Sequence, residues 1–252
     1  GISDVVVLDV ALVHKAIKVI YSMLSSPGLI DVCVTVLAKI WVNHDRAFPA
    51  LQRVISDVSV RRDQWPLQAQ IARACVIRQV CTVDPYRRGV EMIGAISTLL
   101  SDHHSSSDVV ALAVSSLQLL CEAGMIEPKS TWKRLSTSKA LHSDDRIEVL
   151  AATCLFLTNM VCVYDKHDDA IDLEGEAEDV ERTDALSRLW TSTTSKDATV
   201  RGASYEALAK FHPDAIVITK PTHPSIPSQQ HNTTTTKKQF AWITPTPTPT
   251  TT

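Results

Sequence analysis

The chain has 252 residues, of which 44% are hydrophobic and 21% are charged, and its formal net charge is −3. The apolar fraction is sufficient for a core, which excludes a wholly disordered chain, and the near-neutral charge gives no bulk attraction to nucleic acid or an anionic membrane. Only seven residues are glycine, which disfavours the glycine-rich phosphate loops of nucleotide-binding α/β folds.

Apolar residues recur at intervals of three and four along most of the chain, the spacing that places them on one face of a helix. The clearest example is the stretch 146–160, with apolar residues at 147, 150, 151, 154 and 155. The same pattern predicts ten helices, over residues 5–21, 31–41, 50–58, 66–80, 86–100, 108–121, 128–135, 146–160, 180–190 and 197–211. No stretch alternates with period two for long enough to predict a strand, so the predicted fold class is all-α.

The predicted helices pair with a period close to 40 residues. Capping residues are predicted at the start of the second helix of several pairs, among them Asp31, Ser107 with Asp108, and Asp197. Two antiparallel helices per unit at this period are typical of a HEAT- or armadillo-like α-solenoid, here of about five pairs over residues 1–212. One pair alone buries too little apolar surface to offset the entropy of ordering its residues, so we expect neighbouring pairs to stack.

Two segments depart from the helical pattern. Residues 165–181 form an acidic insertion, which predicts a solvated loop between helices, with docking to a basic partner as the alternative. Beyond Phe211, prolines at 213, 221, 224 and 227 and a Thr/Pro run at 244–252 predict a disordered tail over residues 213–252. No apolar run approaches the length of about 20 residues that a membrane-spanning helix needs.

The six cysteines contain no Cys-x-x-Cys pair. Cys33, Cys75, Cys121 and Cys154 lie among apolar residues at helical spacing. This distribution is typical of small buried hydrophobic residues in a reducing compartment rather than of disulfides or a zinc site.

No group of residues predicts catalysis or metal binding. His103 and His104 lie in a serine-rich turn with no further residues at ligand spacing. His142, Ser143 and Asp144 are adjacent at a predicted helix start, where side chains do not converge as a catalytic triad requires and capping is the better interpretation. We therefore predict no catalytic, cofactor-binding or metal-binding residues.

Five arginines are the candidate partner-binding surface: Arg53, Arg61, Arg62, Arg87 and Arg88. Few aromatic residues lie between them and several acidic residues lie nearby, so we expect a protein partner rather than direct contact with nucleic acid. An RNA-binding solenoid that uses these arginines remains an alternative.

The order and spacing of short motifs over about residues 30–211 resemble the focadhesin family. The motifs are Leu37-x-x-Ile40-Trp41, Asp45-Arg46-x-x-Pro49-x-Leu51-Gln52-Arg53, Ile77-Arg78-x-x-Cys81, Pro85-Tyr86, Gly89, Ala95-Ile96-Ser97, Leu120-Cys121-x-Ala123, Ser130-Thr131-Trp132 with Leu135, Leu189-Trp190-Thr191, and Lys196-Asp197 followed by Val200, Ala203, Tyr205, Leu208-Ala209 and Phe211. The acidic insertion and the Thr/Pro ending do not follow the family pattern.

The resemblance implies an armadillo-like helical scaffold without enzyme activity or cofactor, located in the cytoplasm or at focal adhesions. It further implies protein partners that include subunits of the superkiller helicase complex, which feeds the RNA exosome, and a tumour-suppressor role. Because the family's proteins are several times longer, it also implies an internal fragment that contacts further repeats of the same protein. Another HEAT-repeat adaptor, acting in trafficking or nuclear transport, is the alternative class.

Overall fold

The computed structural model describes residues 10–56, 65–101, 106–138, 141, 146–160 and 180–211. Within these ranges the chain forms ten α-helices and no strand, which confirms the all-α fold class. The helices are α1 Val10–Met23, α2 Ile30–Asn43, α3 Phe48–Ser56, α4 Leu67–Val83, α5 Ile93–Ser101, α6 Ser107–Glu122, α7 Pro128–Ser136, α8 Ile147–Leu157, α9 Val180–Thr193 and α10 Ala198–Leu208. Short 3₁₀ turns occupy Pro27–Leu29, Asp45–Ala47 and Thr158–Met160.

Several predicted features lie on residues outside these described ranges. The predicted tail at 213–252, most of the acidic insertion at 165–181, and the histidines at 103, 104 and 142 lie outside the described ranges. None of the described helices is both long enough and apolar enough to cross a membrane.

Side chains cap α6 and α10, whereas α2, α4, α7 and α8 begin without a side-chain cap. The Asp197 carboxylate accepts hydrogen bonds from the backbone N–H groups of Thr199 and Val200, at 2.8 and 3.2 Å, and caps α10 as predicted. Ser106 caps α6, one residue before the predicted Ser107. The prediction that Asp31 caps α2 was wrong, because the turn Pro27–Leu29 runs directly into that helix and no side chain caps it.

The predicted helix at 86–100 is divided. A π-helical turn spans Pro85–Gly89, and α5 begins only at Ile93. The carbonyl oxygen of Asp84 accepts both the Arg88 N–H at 3.1 Å and the Gly89 N–H at 2.8 Å, and the second bond spans five residues. This wider turn replaces the first part of the predicted helix.

The even-numbered helices pack in chain order. α2 contacts α4, α4 contacts α6, α6 contacts α8, and α8 contacts α10. Among the odd-numbered helices, α3 contacts α5 and α7 contacts α9. Contacts between successive units along the chain are the arrangement that a solenoid of stacked helix pairs requires.

The core is one continuous cluster of buried apolar side chains that runs through the even-numbered helices. α8 illustrates the reason for its composition: it contacts α6, α9 and α10, and it is apolar on most of its surface, with Val149, Cys154 and Phe156 all buried. A helix that is covered on several sides needs apolar residues around most of its circumference.

Cys33, Cys121 and Cys154 are buried as predicted, and Cys81 is buried as well. The prediction for Cys75 was wrong, since this residue is exposed. Its immediate neighbours Ala74 and Val76 are both buried. α4 is apolar on more than one face, so spacing alone did not identify the face that carries Cys75.

Candidate protein-interaction surface

The structure describes three of the five predicted arginines. Arg53 is exposed on α3, Arg87 is exposed on the π-helical turn, and Arg88 is partly buried on the same turn. Arg61 and Arg62 lie outside the described residues.

Arg88 connects the π-helical turn to the start of α3. Its guanidinium donates to both carboxylate oxygens of Asp45 at 3.3 Å and to Glu91 at 3.3 Å. The same group lies 4.2 Å from the centroid of the Phe48 ring, in cation–π geometry, and the side chain is only 12% exposed. Arg88 therefore holds the π-helical turn against the start of α3, and little of its charge is exposed to solvent.

Two further contacts extend this cluster. Gln52 of α3 donates its amide N–H to Glu91 at 2.8 Å. The Phe48 ring packs against Trp41 of α2, with centroids 5.6 Å apart. The hydrogen bond adds a second link between α3 and the segment that follows the π-helical turn, and the ring contact links α3 to α2.

The side chain of Arg87 extends into solvent from this fixed turn. Its backbone N–H donates to the Asp84 carboxylate at 3.2 Å, while its guanidinium is 3.8 Å from Asp45. Both charged side chains are more than 60% exposed, so this ion pair is a weak one. We refer to Arg53 and Arg87 together as the arginine face.

The structure also contains a groove that sequence analysis missed. It lies between α5 and α7, has a volume of about 750 Å³, and is lined by residues of both helices together with Leu117 of α6. The lining residues are Ile93, Ile96, Ser97, Leu100, Ser101, Leu117, Ile126, Glu127, Ser130, Thr131, Arg134, Leu135 and Ser138. The sequence signal that could have indicated it is the run of small serines and threonines at helical spacing on both walls, which leaves space between the helices.

The α7 wall of the groove is anchored from the opposite side. The Trp132 indole N–H donates to Asp184 of α9 at 3.1 Å, and Arg188 lies 3.7 Å from the same carboxylate. The Arg188 guanidinium also lies 5.2 Å from the centroid of the Trp132 ring, and Trp132 stacks on Phe156 of α8 at 6.3 Å. These contacts fix the position of α7.

Within the described ranges no group of three or more His, Cys, Asp or Glu residues is placed to hold a metal ion.

The fold of the described residues places the chain in the class of all-α proteins whose helices pack against one another in chain order. The family model described as "Focadhesin/RST1, DUF3730" matches residues 4–208. The chain belongs to the Focadhesin/RST1 family, in agreement with the resemblance.

Curated relatives named focadhesin support this assignment. The chain is 33% identical to the Danio rerio protein over 209 residues, 32% identical to the Homo sapiens protein over 212 residues, and 30% identical to the Mus musculus protein over 207 residues. Each alignment covers 79% of this chain and 11% of the relative, so the chain matches a small part of the relatives' length. No solved structure matches the chain.

Proposed function

We propose that the chain is a non-enzymatic helical-repeat segment of the HEAT or armadillo type, whose role is to present a surface to protein partners. The observation that carries this proposal is the arginine face. Arg53 and Arg87 are exposed on a helix and a turn that Arg88 locks together through Asp45, Glu91 and Phe48. Exposed charges on a rigid support suit electrostatic recognition of an acidic partner surface.

The partners that we propose are subunits of the superkiller complex, with the protein located in the cytoplasm or at focal adhesions. Support comes from membership of the family, whose curated relatives carry the name focadhesin. Further repeats of the full-length protein would extend the stacked helices on either side of this segment.

The test is affinity purification of the tagged full-length protein, followed by quantitative mass spectrometry. The variant Arg53→Glu/Arg87→Glu should reduce the recovery of superkiller subunits, because an acidic partner would now be repelled. Lys39→Glu/Lys210→Glu is the matched control, since it makes the same change in charge at two other exposed sites. Equal recovery of superkiller subunits from both variants would contradict the proposal that the arginine face binds them. Recovery of coat or nuclear-transport proteins instead would favour the adaptor alternative.

The RNA-binding alternative is less favoured because Arg88 is already neutralised by Asp45 and Glu91. A mobility-shift assay with labelled single-stranded RNA at two salt concentrations tests it directly. We expect no shift at either concentration. A shift that weakens steeply with salt and is lost in Arg53→Glu/Arg87→Glu would replace the proposal with an RNA-binding function.

A further inference from the structure

The groove between α5 and α7 has a volume suited to a peptide ligand. Its volume of about 750 Å³ lies in the range of cavities that bury ligands. Apolar side chains from both walls and from α6 line it: Ile93, Ile96, Leu100, Leu117, Ile126 and Leu135. An apolar surface of this kind gains free energy when a partner removes it from water.

Three hydroxyl groups on the walls are already paired and do not oppose an apolar ligand. The Ser101 hydroxyl donates to the Ser97 carbonyl oxygen at 2.8 Å, and Thr131 and Ser130 donate to the Glu127 carbonyl oxygen at 2.7 and 3.2 Å. Because these donors are satisfied within their own helices, an apolar side chain can cover them without leaving a donor unpaired.

The ligand backbone should itself be helical. Both walls are helices, whose backbone groups are paired internally, so an extended peptide would find no strand edge to bond with. A helix satisfies its own backbone and presents apolar side chains at i, i+3, i+4 and i+7. The walls are nine residues long, or about 14 Å, which matches two to three turns of a bound helix.

Two charges define the direction of that helix. Glu127 immediately precedes α7 and Arg134 lies in its last turn, so the two line the groove about 10 Å apart along the helix axis. Neither residue forms an ion pair with any other residue that the structure describes. A helix antiparallel to α7 would bring its first turn to Arg134 and its last turn to Glu127. The helix dipole also favours an acidic residue in a first turn and a basic residue in a last turn.

We propose that this groove binds one amphipathic helix of a partner protein, antiparallel to α7, with an acidic residue in its first turn and a basic residue in its last. The inference rests on the proposed role in protein binding but uses a surface separate from Arg53 and Arg87.

The probe is a fluorescein-labelled, hydrocarbon-stapled peptide of about 14 residues, with four leucines on one face, Glu in the first turn and Lys in the last. A second probe has Glu and Lys exchanged. Fluorescence anisotropy with the whole chain should show tighter binding of the first probe, by about three- to tenfold, the range that two exposed ion pairs supply.

Exchanging the two charges of the groove should exchange the preference. In Glu127→Arg/Arg134→Glu we expect the second probe to bind more tightly than the first by a similar factor. Lys133→Glu/Glu206→Arg is the matched control, because it makes the same pair of charge changes at exposed sites outside the groove and includes a residue of α7. The control should retain the preference for the first probe.

Filling the groove should abolish binding of both probes. Ser97→Trp and Ser130→Trp place large side chains at exposed positions that line it, whereas Thr98→Trp on α5 does not. Circular dichroism confirms that each variant is folded. No binding of either probe to the wild-type chain, equal affinity for both probes, or unchanged binding to the filled variants would overturn the proposal. Concentration-dependent dimerisation that Ser97→Trp abolishes would show that a second copy occupies the groove, and would also overturn it.

The two proposals can fail separately. Loss of superkiller subunits in Arg53→Glu/Arg87→Glu tests the arginine face, and the probe preference tests the groove. If the wild-type chain binds the probes as expected but the arginine variant retains all its partners, only the proposal for the arginine face is overturned.

Discussion

At the scale of single residues, Gly89 is the position where packing leaves least room. A Cβ at this residue would lie 2.9 Å from Leu120 Cδ2, 3.3 Å from the Cys81 Cα and 3.4 Å from the Asp84 carbonyl oxygen. Leu120 is fully buried and Cys81 presents backbone, so neither can retreat easily. We expect Gly89→Ala to lower the free energy of unfolding by about 1–3 kcal/mol, measured by urea denaturation.

Gly94 provides the matched control for Gly89. It lies in α5, and a Cβ there would have no heavy atom within 4 Å. Gly94→Ala should therefore leave stability unchanged or raise it by up to about 1 kcal/mol, through the higher helix propensity of alanine. Equal effects of the two substitutions would contradict the steric explanation.

The described cysteines differ in accessibility. Burial raises the pKa of the Cys81 and Cys121 thiols to about 12, and it also raises the pKa of Cys33 and Cys154. The reactive species is the thiolate, so these four should be inert at neutral pH while exposed Cys75 reacts.

Mass spectrometry after brief iodoacetamide treatment checks this difference in reactivity, in a Cys162→Ser background. We expect modification at Cys75 first and at the buried positions only under denaturing conditions. Rapid labelling of Cys81 in the native protein would show that its burial is incomplete.

At the scale of the helix, the cap of α10 makes stability depend on pH. The backbone N–H groups of Val200 and Thr199 stabilise the Asp197 carboxylate and hold its pKa below the usual value of 3.8. Because the folded-state pKa is the lower one, the cap contributes fully above the unfolded-state pKa. The contribution is lost as the pH falls through the folded-state pKa.

Asp197→Asn isolates this effect, since asparagine caps a helix without titrating. We expect the thermal midpoints of the wild-type and variant proteins to diverge most at neutral pH and to converge as the pH falls toward about 3. Circular dichroism melts across that range measure the two midpoints. A difference that stays constant with pH would show that the Asp197 charge does not contribute.

Helix positions were predictable from the sequence, while several details of their ends were not. All ten predicted helices correspond to described helices, because apolar spacing at three and four residues reflects burial against a neighbour. The π-helical turn at Pro85–Gly89 was missed because it depends on a bifurcated bond to Asp84 rather than on apolar spacing. Asp31 does not cap α2, because the preceding turn already continues into that helix.

The candidate surface was predictable only in part, because it depends on contacts between distant parts of the chain. Arg53 and Arg87 are exposed, as their charge favours. The role of Arg88 depends on Asp45, which is 43 residues away. The groove joins two helices separated by α6, and no local pattern shows that they border one space.

At the scale of the whole molecule, the order of contacts determines how stability is shared. Each even-numbered helix contacts the even-numbered helices before and after it, so a perturbation should pass mainly to adjacent units. In a globular protein with one cooperative core, by contrast, it would reach every helix equally.

Two mild core substitutions, one toward each end of the row, test this expectation. Ile77→Val in α4 removes one methylene group from a fully buried side chain, at a cost of about 0.5–1.5 kcal/mol. Hydrogen exchange followed by mass spectrometry should show loss of amide protection in α2, α4 and α6, which are in contact. Protection in α10 should be little changed.

Val200→Ala should produce the opposite pattern. Val200 is buried in α10, which contacts α8 and α9 but lies at the far end of the row from α2. Protection should fall in α8, α9 and α10, and α2 should remain protected. If either substitution reduced protection uniformly across the described helices, the helices would unfold as one unit. Stacking in chain order would then describe how these helices pack but not how their stability is shared.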